Sequence, residues 1–254
     1  EDPMLGGFLS AKGTMLIVGD ISYNGDIVLF SETGDIVIMK NVRVEASGPN
    51  VRAEVLAAGN FGLGGDLVSG GTISVSAGAD VNVTREASIV ANGASDLFFG
   101  TRTMEVKAGG SINSEGLISA PNGTLKVESI ERGDVNVKDV CAGGLRAYYD
   151  FEADEWVEVL PSLEISATVG KVNVSKGGTV SATEPGGEIS LQSRSASDPS
   201  RGGIVIDGDV LANGAVGNDV GIVNLESWVG DTEINGTVDA SAMTVVQNSY
   251  GGNV

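Results

Sequence analysis

The chain has 254 residues, of which 38 are glycine and 6 are proline, and its formal net charge is −19. An apolar content of 41% is too high for a disordered chain. The acidic excess disfavours nucleic acid and anionic membrane surfaces as partners. The absence of histidine removes the commonest general base and the usual transition-metal ligand. No apolar run predicts a membrane-spanning helix, so we expect no membrane insertion.

Residues 1–70 are predicted to form N-terminal rungs, or a cap, of a repeat array. The phrase GDIVLF at 25–30 is followed nine residues later by GDIVIM at 34–39. Both are short apolar strands, and atypical terminal copies are expected in an array because they must cover an open end. Glycine is frequent over residues 59–71, which predicts a link to a second region at 71–254.

Two features of this N-terminal region bear on structure and association. Residues 51–58, VRAEVLAA, have a pattern compatible with two turns of helix capped by Asn50.

The apolar residues Phe8, Leu9 and 16–18 are available to contact another copy of the chain, since unpaired strand edges are templates for strand addition.

Residues 80–249 repeat one phrase: an alternating strand, a glycine, a second strand, a polar turn and a third strand. The apolar residues that open the copies are Val81, Ile112, Val172, Ile204 and Ile234. Their separations of 31, 60, 32 and 30 residues predict a period of about 30, with one degenerate copy inside the interval of 60. We therefore predict an all-β fold, a right-handed parallel β-helix (β-solenoid) of about 30 residues and three strands per rung. About seven or eight such rungs would form one continuous solenoid.

An aromatic segment interrupts the repeat and predicts an inserted β-hairpin near residues 147–160. Its candidate binding residues are Tyr148, Tyr149, Phe151 and Trp156, because loops that project from a rigid scaffold concentrate binding function. The alternative is an insertion whose aromatic side chains simply fold back on the rod.

A cluster of oxygen-bearing side chains near the C-terminal part of the repeat suggests a calcium site. Asp207, Asp209, Asn218 and Asp219 are of the ligand types that calcium prefers. The alternative is that aspartate and asparagine occur there for turn geometry alone. No other cofactor is expected. The single cysteine, Cys141, cannot form an intrachain disulfide and is predicted to be a small buried residue. The alternative is an intermolecular disulfide or a reactive thiol.

The phrases GTISVSAGADVNV, AGGSINSEGLISAPNGTLKVES and GGTVSATEPGGEISLQS resemble the β-helical repeats of filamentous-haemagglutinin-type bacterial adhesins. The resemblance covers roughly residues 70–250 and is one of repeat texture, so no functional residue is carried over from it. It implies a secreted, non-enzymatic protein that acts at the cell surface as an adhesin or fibre.

Three hypotheses follow for function. The first is a non-enzymatic extracellular rod, adhesive or structural, on a cell surface, whose partner is a surface receptor or glycan. The second is a self-assembling subunit of an extracellular filament or sheath, joined to other copies through terminal rungs or strand exchange. The third is a polysaccharide-active enzyme, which would need two carboxyl groups facing each other across a groove.

Overall fold

The structure is a computed structural model that describes residues 7–93, 103–144, 146–150, 155–159, 161–182, 187–195, 200–212 and 221–247. Within these residues it contains 27 strands and no helix, so the prediction of an all-β fold is confirmed there. The strands form one sheet of ten, one of 15 and one of two. In the two large sheets the described pairs are parallel, and each strand pairs with the equivalent strand of the next repeat.

The ten-stranded sheet is the first column of the fold. Its members, in order of pairing, are β1 (Gly7–Ala11), β4 (Ile27–Ser31), β7 (Arg52–Ala57), β10 (Thr72–Ala77), β13 (Met104–Ala108), β15 (Leu125–Ser129), β19 (Ser162–Ala167), β21 (Glu188–Ser193), β24 (Ile222–Ser227) and β27 (Ala242–Gln247).

The 15-stranded sheet supplies the second and third columns, which merge where one strand is long enough to span both. The second column begins with β2 (Met15–Ile17), β5 (Ile36–Ile38), β8 (Phe61–Leu63) and β11 (Val81–Val83). The third begins with β3 (Ile21–Tyr23), β6 (Arg43–Ala46), β9 (Asp66–Ser69) and β12 (Ser88–Ala91). The spanning strands are β14 (Ile112–Ala120), β16 (Val135–Ala142) and β20 (Val172–Ala182). Beyond them the columns separate again into β22 (Ile204–Ile206) and β25 (Thr232–Ile234), and β23 (Asp209–Leu211) and β26 (Thr237–Asp239). We call one strand from each column, taken in chain order, a rung.

The predicted uniform period of the repeat is wrong. At the corner before the second column, Asp80 bonds to Asn60, 20 residues earlier, whereas Ser111 bonds to Asp80, 31 residues earlier. The first column has ten strands rather than the expected seven or eight. Advances of 20 and 23 residues occur beside advances of 31 and 37 residues, so a single period does not describe the chain.

The interval of 60 residues between Ile112 and Val172 was predicted to hold one degenerate copy of the repeat. It does contain one additional copy, which opens at Val135. Ile112 pairs in register with Val135, and Val135 pairs with Val172. The chain advances by 23 residues from the first of these copies to the second and by 37 residues to the third. These are the separations between Asn113, Asn136 and Asn173, which hydrogen-bond to each other at equivalent positions. This inequality is what made the middle copy look degenerate.

The core consists of inward-facing side chains that stack in register along each column. In the first column one such row is Leu29, Val55, Val75, Val106, Val127, Ile165, Leu191 and Leu225, and all are buried. In β15, Leu125 and Val127 are buried and Lys126 between them is less buried, which agrees with the alternating strands that the repeat predicted. Because successive side chains in a strand point to opposite faces, the polar residues between them lie outside.

Hydrogen bonds between rungs hold the corner that leads into the second column. The Asp35 carboxylate accepts a bond from the backbone N–H of Asn60 at 2.7 Å, and Asp80 accepts one from Ser111 at 2.7 Å. Asp134 likewise accepts a bond from the N–H of Lys171 at 2.8 Å. A side-chain acceptor at this position satisfies a backbone donor that the turn leaves without a strand partner.

Residues 51–58 do not form the helix that their pattern allowed, since Arg52–Ala57 is strand β7. This strand pairs in register with β4 on one side and β10 on the other. Ala53, Val55 and Ala57 are buried, and the residues between them are not. Ladder hydrogen bonds on both edges and a two-residue alternation outweigh the helix propensity of so short a segment.

The predicted insertion forms a separate antiparallel pair of strands. Strand β17 (Arg146–Asp150) pairs with β18 (Glu155–Val159), and Arg146 lies opposite Val159. The pair lies between β16 and β19 in the chain. It therefore accounts for part of the long advance from β15 to β19 in the first column.

Candidate functional site

The first rung, β1 to β3, carries a concentration of exposed apolar side chains. Among the described residues, ten large apolar side chains are exposed, and five of them belong to this rung and the turns next to it. They are Phe8, Leu9, Leu16, Val18 and Tyr23. Val18 is 71% exposed and Phe8 62%, so both side chains are largely in contact with solvent. Such clustering marks an interaction surface more often than scattered single residues do.

The first rung is exposed because its strands have a neighbour on one side only within the described chain. Leu9 lies in register with Leu29, which is fully buried, yet Leu9 itself is 38% exposed. Tyr23 has the same relation to the buried Ala46. Within the described chain, no further rung covers the inward face of β1 and β3. The sequence had pointed to Phe8, Leu9 and residues 16–18, of which Ile17 is buried.

The strands at the opposite edge, β25 to β27, likewise have a neighbour on one side only within the described chain. Ile234 pairs with the fully buried Ile206 but is itself exposed. Glu233 and Asp239 on the same rung are also exposed. Both edges therefore present one strand from each of the three columns, with core-type residues accessible at the end.

The predicted binding residues of the hairpin are placed by the backbone. Tyr149 lies opposite Trp156 in the antiparallel pair, and Tyr148 lies opposite Val157. The fourth candidate, Phe151, lies outside the described residues. Tyr149 and Trp156 thus occupy directly opposed strand positions, and binding by this insertion stays a prediction.

The predicted calcium residues are only partly described. An oxygen of the Asp207 carboxylate accepts a hydrogen bond from the side-chain amide of Asn235 at 2.9 Å, and Asp209 opens strand β23. Asn218 and Asp219 lie outside the described residues. Among those that are described, no group of three or more histidine, cysteine, aspartate or glutamate side chains is placed to hold a metal ion. The calcium site stays a prediction.

Cys141 lies on the third-column part of β16 and is partly buried. Its sulfur is 2.9 Å from the Ser119 hydroxyl on the neighbouring strand β14. Burial raises the pKa of the thiol, and the Ser119 contact offsets part of that rise. The thiol is therefore protonated and weakly nucleophilic near neutral pH.

One surface feature was not anticipated from the sequence. A cleft of about 330 Å³ lies along the corner before the second column and is lined by Arg132, Lys171 and Arg201 among others. These three cations belong to turns that precede β16, β20 and β22. Their separation in the chain gave no local motif, and only the stacking of rungs brings them together.

Comparison with known proteins gives no assignment: no family model matches the chain, and no curated protein or solved structure is detectably similar to it. In the described part of the chain there is also no helix that is long and apolar enough to cross a membrane.

Proposed function

We propose that the chain is a right-handed parallel β-solenoid that serves as a non-enzymatic extracellular rod, adhesive or structural, at a cell surface. The observation that carries the proposal is the in-register stacking of the first column across all ten of its strands. At the usual strand spacing, this column is about 43 Å long. Connections between parallel strands favour the right-handed sense, which gives the proposed hand.

Stiffness along the column is the property that a rod needs. Each rung buries its apolar residues only by contact with its neighbours, as in other repeat arrays. On the outer surface an asparagine row adds hydrogen bonds along the axis: Asn113 donates to Asn82 at 3.1 Å, and Asn136 donates to Asn113 at 2.8 Å. Asn173 donates in turn to Asn136 at 2.6 Å. Four rungs are thus connected by side chains as well as by backbone, which resists bending.

The extracellular, adhesive part of the proposal rests on the resemblance in repeat texture to haemagglutinin-type adhesins. A single cysteine is compatible with this location, because a stacked core needs no disulfides for stability. The partner would be a surface receptor or glycan, and the inserted strand pair of β17 and β18 is the element that would contact it.

A second candidate function is favoured by the exposed side chains of the first rung. In this alternative, β1 to β3 of one copy stack on β25 to β27 of the next, so that the three columns continue from subunit to subunit. The stacking would bury Leu9 and Ile234, which pair with core residues but are exposed at the two ends. Addition of strands at open sheet edges supplies backbone hydrogen bonds as well as apolar burial.

Small-angle scattering, analytical ultracentrifugation and negative-stain electron microscopy separate the two functions. A dispersed, elongated monomer near 25.8 kDa supports the rod, and fibres with an axial repeat of one subunit support the filament. A compact, isotropic scattering profile would overturn both. If fibres form, Leu16→Lys at the first rung should abolish them, whereas Leu117→Lys, an exposed leucine on β14 in the middle of the rod, should not. Equal loss in the two variants would contradict assembly through the first rung.

A further inference from the structure

The cleft at the corner before the second column is built from four successive rungs. Ser111 precedes β14, residues 132–134 precede β16, residues 169–171 precede β20, and Ser200 and Arg201 lie in the turn before β22. Backbone of Gly133 and Gly170 forms part of its wall, and the two glycines stack so closely that a Cβ on Gly170 would lie 2.0 Å from the Gly133 carbonyl oxygen. The walls therefore have a defined shape that does not depend on long side chains.

The charge of this cleft is opposite to that of the chain. The whole chain has 34 acidic and 15 basic residues, yet the residues that line the cleft include three basic ones and one acidic one, Asp134. One oxygen of this carboxylate already accepts the backbone N–H of Lys171. Within the described chain, Arg132 and Lys171 form no ion pair, whereas Lys126 on the outer face of the first column contacts Glu128 at 2.9 Å. Their positive charge is thus not neutralised by a described ion pair.

Lys171 stands where other rungs place a side chain that accepts a hydrogen bond. Equivalent positions carry Asp35, Asp80 and Asp134, each of which bonds to a backbone N–H on the next rung. A lysine has no acceptor, so the following rung needs another one. Ser193 provides it, because its hydroxyl oxygen accepts the N–H of Gly203 at 2.9 Å. Because Ser193 is the acceptor here, the Lys171 ammonium group takes no part in the hydrogen bonds between rungs.

We propose that this cleft binds a small hydroxylated anion, an acidic or phosphorylated monosaccharide. Guanidinium groups bind carboxylate and phosphate oxygens in a two-pronged geometry, and an ammonium group adds a point charge. The Ser111 hydroxyl can donate to the ligand, and the second oxygen of Asp134 can accept from a sugar hydroxyl. The volume lies at the lower end of the range for small-molecule sites, enough for one sugar ring and its acidic group. This binding does not depend on whether the protein is a rod or a filament.

Isothermal titration of the full chain at low salt tests the proposal with four probes: galacturonate, glucose 6-phosphate, inorganic phosphate and glucose. Saturable binding of either acidic sugar is expected, and the tighter of the two identifies the acid as carboxylate or phosphate. Binding should weaken as salt is raised, because exposed charges are screened. Binding of glucose with equal affinity, binding of inorganic phosphate alone, or no saturable binding would overturn the proposal.

Matched variants show whether the cleft is the site. The double variant Arg132→Gln, Lys171→Gln should lose affinity by at least about tenfold, the size of effect expected for charge-assisted hydrogen bonds. The control Arg52→Gln, Lys107→Gln removes two cations from the outer face of the first column and should change affinity by less than about twofold. Both variants should keep the urea midpoint and the far-ultraviolet spectrum of the parent. An equal loss in the control would overturn the assignment to this cleft.

Discussion

Replacement of Phe61 by alanine should destabilise the stacked strands locally, in the second column. Among the described residues, Phe61 is the largest fully buried side chain, and it pairs in register with Ile36 and Val81. A buried aromatic side chain covers about 150–250 Å², which at about 25 cal/mol per Å² corresponds to about 4–6 kcal/mol. Measured phenylalanine-to-alanine losses in cores are about 3–5 kcal/mol, so we expect about 4 kcal/mol.

Hydrogen exchange read by mass spectrometry is the appropriate assay, because each rung of a repeat array is stabilised chiefly by its neighbours. Protection of the amides in β5, β8 and β11 should fall by up to about a thousandfold, the equivalent of about 4 kcal/mol, while β21 and β24 change little. The control is Phe8→Ala, which removes an exposed side chain and should cost less than about 0.5 kcal/mol. Equal effects of the two variants, or unchanged protection in β8, would refute the stacked-core account.

Three further outcomes are expected. In urea unfolding, Gly116→Ala should lower the free energy of unfolding by about 1–3 kcal/mol, because the new Cβ would lie 2.3 Å from the Ala87 carbonyl oxygen. The control Gly62→Ala should change it little, because its Cβ would lie 3.8 Å from the nearest atom. Asn136→Ala should lower the free energy of unfolding by about 1–3 kcal/mol, more than Asn82→Ala does, because Asn136 makes two hydrogen bonds in the asparagine row and Asn82 makes one. Equal losses in the two variants would contradict a contribution of the row along the axis. At pH 8, Cys141 should react with iodoacetamide more slowly in the folded chain than in urea, because burial raises the pKa of its thiol. The reaction rate of the folded chain should keep rising at higher pH. Equal rates in the folded and unfolded chains would contradict the raised pKa.

The fold class was predictable because its signals are local. Alternation of apolar and polar residues is set by the two-residue repeat of a strand, and it correctly identified Ile189 and Leu191 as interior and Ser190 as less buried. The insertion was likewise visible from its aromatic residues, and the antiparallel pairing of β17 with β18 confirms that this segment forms two paired strands. Phe8 and Leu16, which the sequence singled out for contact with another copy, are also exposed within the described chain.

The candidate sites were less predictable, since they depend on which turns stack on each other. Arg132 and Lys171 lie 39 residues apart in the chain, and Lys171 and Arg201 lie 30 apart, so no local motif joins them. The same limit applied to the spacing of rungs, because turns of different length can be inserted without changing the strands they connect.

By itself, the amino-acid sequence determined that the chain forms short strands, which side of each strand is apolar, and that copies of one phrase follow one another. The tertiary structure decided the rest: that β7 is a strand, that Val135 opens a rung of its own, and that successive advances along the chain are unequal. The physical reason is that alternation is fixed within a strand, whereas register is set by hydrogen bonds and side-chain stacking between strands that are distant in the chain.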